Sequence, residues 1–139
     1  MAADAGTLAT IASITAAFGA AMLVFRVQRE DQMRQAGERV WLPVADWLLL
    51  GTTLICLLFV ILPIAAGLAL QLPAAGSAAS AVAVAGYIPA ILAHYRIVFG
   101  SSRTGPRSNP EPLELAFVLV TVLAACSAGL WVYCHTARA

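Results

Sequence analysis

Residues 47–95 read WLLLGTTLICLLFVILPIAAGLALQLPAAGSAASAVAVAGYIPAILAHY, and between Asp46 and Arg96 only His94 is able to take a charge near neutral pH. As one straight helix this stretch would reach roughly 70 Å, more than twice the ~30 Å hydrocarbon core of a bilayer. The chain must reverse within it. The expected place is Gln71-Leu72-Pro73-Ala74-Ala75-Gly76-Ser77, because proline lacks a donor, glycine relaxes the backbone and polarity rises there. This predicts one helix from about Pro43 to Leu70 and another from about Ser77 to Val98.

Working outward, Ala5 to Phe25 holds no charge over 21 residues, about 30 Å of helix and enough for one crossing. Only Asp4 precedes it as a charge, no basic segment leads in, and no polar cleavage region follows before Arg26, so it is expected to be a span rather than a removed signal. A fourth helix is expected from about Pro112 to Cys134. Pro43 with Asp46, and Pro112 with Glu114, read as helix starts: proline in a first turn has no hydrogen bond to lose, and an early carboxylate meets the positive end of the helix.

The composition agrees. The 139 residues are 61% hydrophobic and 11% charged, with a mean hydropathy of +0.87, which suits a single domain over 1–139 and is too apolar for an ordinary soluble one. Eight basic residues, all Arg, against seven acids give a net charge of +1. That leaves no broad basic face and argues against nucleic acid as a partner. Cys56, Cys126 and Cys134 have neither CxxC nor His/Cys metal spacing, so no metal site is expected. Walker, dinucleotide-binding, HExxH and serine-elbow motifs are absent from the sequence.

The expected fold is all-α, a four-helix polytopic transmembrane bundle. Four spans put both termini on one side. Arg26, Arg29, Arg34 and Arg39 lie in the first connection and Arg96, Arg103 and Arg107 around the third, against Arg138 alone at the other end. The positive-inside bias then places those two connections in the cytoplasm and both termini, with the Pro73–Gly76 turn, on the non-cytoplasmic side. Trp41 and Trp47 at one boundary, and Trp131 and Tyr133 at the other, fit interfacial aromatic belts. The expected location is the cell inner, or plasma, membrane.

Because lipid supplies little hydrophobic drive for helix association, small residues mark the expected contacts. Ala12, Ala16 and Ala20, then Ser13, Ala17 and Ala21, form two stripes on the first helix; Ala79, Ala83, Gly86 and Ala90 mark the third, and Thr121, Ala125 and Gly129 the fourth. Pro63 and Pro89 fall inside spans and are expected to kink them. Cys56 and Cys126 are expected at similar depth, buried as small hydrophobes, while Cys134 lies near the outer face, where a link between two chains is one reading.

Candidate anion- or ligand-binding residues gather at the arginine-rich end: Arg26, Arg39, Asp46, His94, Tyr95, Arg96 and Glu114. Arginines there either anchor to lipid phosphate, pair with Asp46 or Glu114, or receive an anionic substrate. His94 is expected to hydrogen-bond at the interface, acid–base or substrate contact being the second reading; His135 lies at the opposite end, which disfavours a two-histidine haem clamp within one chain.

Two segments resemble membrane-associated proteins in eicosanoid and glutathione metabolism, a family of small four-span trimeric proteins. Arg39 takes the place of the family's early second-helix arginine and Asp46 that of its acid, with Trp41 and Pro43 where imidazole or amide groups stand. Ala93-His94-Tyr95-Arg96-Ile97-Val98-Phe99-Gly100-Ser101 resembles its arginine, aromatic run and glycine, with Ser101 where a tyrosine is often found. The resemblance implies glutathione between subunits, its carboxylates near Arg39 and Arg96 and its thiolate attacking a lipophilic electrophile.

Without that resemblance no cofactor is expected, and the sequence reads as a small integral membrane protein acting as a homo-oligomeric scaffold or as a subunit of a larger membrane complex. Its partners would be membrane lipid and other membrane subunits. A small oligomeric transporter or channel is the further alternative. In a cysteine-free background, Gln32→Cys and Ser101→Cys are expected to react with an impermeant thiol reagent from one and the same side of sealed vesicles. Labelling from opposite sides would remove the four-span topology.

Overall fold

The computed structural model describes residues 4–37, 43–95 and 111–138. Four helices account for most of them: α1 Ala5–Gln35, α2 Asp46–Ala65, α3 Gln71–His94 and α4 Pro112–Thr136, each long and apolar enough to cross a membrane. No strand occurs among the described residues, so the all-helical four-helix architecture read from the sequence stands.

Helix α1 starts at Asp4, whose carboxylate accepts from the Thr7 amide at 2.8 Å and from the Thr7 hydroxyl at 3.1 Å. Those bonds cap a free amide of the first turn, and the Thr7 amide foremost holds the Asp4 carboxyl below its ordinary value of 3.8. The cap is therefore complete above that ordinary value and is lost as pH falls through the lowered one. At its other end α1 runs ten residues past the charge-free stretch, to Gln35 rather than Phe25. Good helix formers and local pairs explain this: Arg26 with Glu30 at 3.4 Å, and Asp31 with both Arg34 at 2.8 Å and Gln35 at 2.7 Å.

The reversal between α2 and α3 corrects the sequence reading. It lies at 66–70, not at Gln71–Ser77, and Pro73 with Gly76 sits inside α3. Proline in the first turn removes an amide that has no helical partner in any case. Gly67 makes the turn instead, at a φ of +68° that favours glycine, while the Leu68 amide reaches back to the Pro63 carbonyl at 2.9 Å.

Helix α2 changes winding at Cys56–Ile61, where one π-helical segment ends with the Leu62 amide donating to the Leu57 carbonyl, five residues back. Pro63 follows at once and has no amide to restore the tighter ladder, so the irregularity expected at this proline takes the form of a widened turn. Helix α3 continues through Pro89.

Packing runs in chain order. Helix α3 meets α4 most extensively, α2 lies against both α1 and α3, and α1 touches α3 only slightly. Leu8, Ala12, Ala16 and Gly19 form the buried stripe of α1, whereas Ala20 and the second expected stripe, Ser13, Ala17 and Ala21, are exposed. On α4 the buried stripe is Glu114, Val118, Thr121 and Ala125. Cys56 is buried but Cys126 is exposed, a second correction: position 126 follows Ala125 around the helix and points away from the packed face. The buried apolar residues separate into one cluster of Ala45, Leu48, Leu49, Tyr87, Ala90 and Val118, and another of Leu8, Ala12, Ala16, Cys56 and Val60.

Helices α3 and α4 approach closely at Gly86, where an added β-carbon would overlap the Oγ1 and Cγ2 of Thr121. Threonine is branched at Cβ and has little room to yield. Gly86→Ala is expected to lower stability by about 1–3 kcal/mol through overpacking. Gly51→Ala, with nothing within 4 Å of the added carbon, should be neutral or mildly stabilising by comparison. Unfolding midpoints in detergent micelles compare the two; equal midpoints would mean that the close approach at Gly86 does not hold.

Candidate functional site: a buried ionic cluster

The C-terminal ends of α1 and α3 and the N-terminal ends of α2 and α4 meet at one end of the bundle, and there Arg26, Glu30, Asp46, His94, Tyr95 and Glu114 converge. Glu114 lies in the first turn of α4, where the helix dipole favours a carboxylate. Its exposure is 1%. One carboxylate oxygen accepts from the Ala45 amide at 2.8 Å and the other lies 2.8 Å from His94 Nδ1. Helix α2 has no side-chain cap of its own at Ala45, so Glu114, arriving from α4, supplies an acceptor to the amide end of α2. One side chain thus joins the start of α2, the end of α3 and the start of α4.

Arg26 makes the second half of the cluster and is 5% exposed. Its Nε lies 3.4 Å from Asp46 Oδ2, its Nη2 lies 3.4 Å from Glu30 Oε1, and its Nη1 donates to the Tyr95 hydroxyl. The guanidinium carbons of Arg26 and Arg29 stand 5.5 Å and 5.9 Å from the centre of the Tyr95 ring. The His94 and Tyr95 rings meet edge to face, with centroids 5.1 Å apart, which brings the Glu114 pair and the Arg26 group side by side. Burying either charge alone would cost several kcal/mol, and pairing offsets that.

Of the sequence candidates, Arg26, Asp46, His94, Tyr95 and Glu114 come together here, while Arg39 and Arg96 lie outside the described residues. Arg26 belongs to a helix rather than to a connection, and His94 is buried with its Nδ1 2.8 Å from a Glu114 carboxylate oxygen. Two participants were not singled out from the sequence. Glu30 had a signal, its position four residues after Arg26 on one helix face. The Ala45 amide had none, because backbone polarity is identical at every non-proline residue.

Chemically, the arrangement is a set of donors and acceptors spent mostly on each other. Among the described residues no three His, Cys, Asp or Glu side chains converge as a metal-binding group. Asp46 is the exception to full pairing, its Oδ1 being buried with no partner. It also lines a cavity of about 200 Å³ between α1 and α2, with Leu23, Arg26, Val27, Pro43, Trp47 and Leu50. Comparison with protein-family models, curated proteins and solved structures gives no match.

Glu114→Ala leaves the Ala45 amide and His94 without their acceptor and is expected to cost on the order of 3 kcal/mol. Glu114→Gln retains an acceptor for Ala45 and a polar group for His94, so it should recover a good part of that loss. Chemical denaturation in micelles measures both; an alanine variant as stable as the parent would show that Glu114 does not hold the helices together.

Proposed function

We propose that this chain is a membrane-embedded scaffold that works through helix packing, as a homo-oligomer or as a subunit of a larger membrane complex. The supporting observation is how the ionisable groups are used: Arg26, Glu30, Asp46, Tyr95, His94 and Glu114 bond across four helix ends, and the outward surfaces are left apolar. Helix α4 presents Leu115, Leu119, Val120, Val122, Leu123, Leu130 and Trp131 outward, a broad face for another subunit or for lipid. The arginine-bearing end faces the cytoplasm of a plasma membrane in this reading, as the positive-inside bias requires. The glutathione-dependent alternative rests on Arg39 and Arg96, which lie outside the described residues.

The native thiols of α4 provide the test. Cys126 and Cys134 are exposed, and bifunctional thiol crosslinking in intact membranes is expected to yield species of two or more chains, or of this chain with another membrane subunit. Light scattering of the protein extracted in mild detergent should agree. A chain that stays monomeric by both measurements would overturn the scaffold reading.

A further inference from the structure

We draw no further inference here: the strongest candidate, the apolar groove between α2 and α4 that runs over Ala79 and Ala83 of α3 beside Gly51 and Cys126, carries none because nothing in the structure shows what covers it.

Discussion

A carboxylate with 1% exposure, as at Glu114, must find donors for both of its oxygens, since neither water nor lipid will supply them. That constraint sets the position of three helix ends. The Ala45 amide and His94 Nδ1 have to sit within hydrogen-bond reach of one side chain on α4, so α2, α3 and α4 cannot slide past one another without stranding a buried charge. Arg26 extends the same requirement to α1 through Asp46 and Tyr95. Apolar contact alone would hold the helices with far less demand on register, because one alanine-rich face packs almost as well one turn along.

The two ends of the bundle consequently differ in what holds them. At the ionic end, Leu48, Leu49, Tyr87, Ala90 and Val118 pack beneath a layer of charge pairs. At the other, Leu8, Ala12 and Ala16 of α1 lie against Cys56 and Val60 of α2, and the small side chains let the backbones approach, as dispersion-driven association in lipid requires. The widened turn over Cys56–Ile61 falls at this second contact. Val60, within it, stays buried.

Such economy with charge bears on function. Ionisable groups within membrane-spanning segments invite a catalytic or transport reading, yet here most of them complete one another and their first consequence is architectural. Asp46 departs from that pattern in part, because its Oδ1 is buried with no partner.

The four helices long and apolar enough to cross a membrane were legible in the residues themselves. Charge-free runs of bilayer length, bounded by arginines and by proline–acid helix starts, point to helices, because a backbone in such a run must satisfy its own hydrogen bonds. The sequence also gathered Arg26, Asp46, His94, Tyr95 and Glu114 at one end, since alternating spans bring such positions to equal depth. Local signals misjudged the reversal: Pro73 and Gly76 looked like the turn, but a proline is equally at home in a first helical turn, and Gly67 supplied the left-handed residue. Tertiary structure alone decided which partner each charge takes, that the Ala45 amide completes Glu114, and that Cys126 faces outward where Cys56 does not. Depth follows from hydropathy along the chain, whereas pairing depends on how helices rotate about their axes, and that rotation is fixed only when all four pack together.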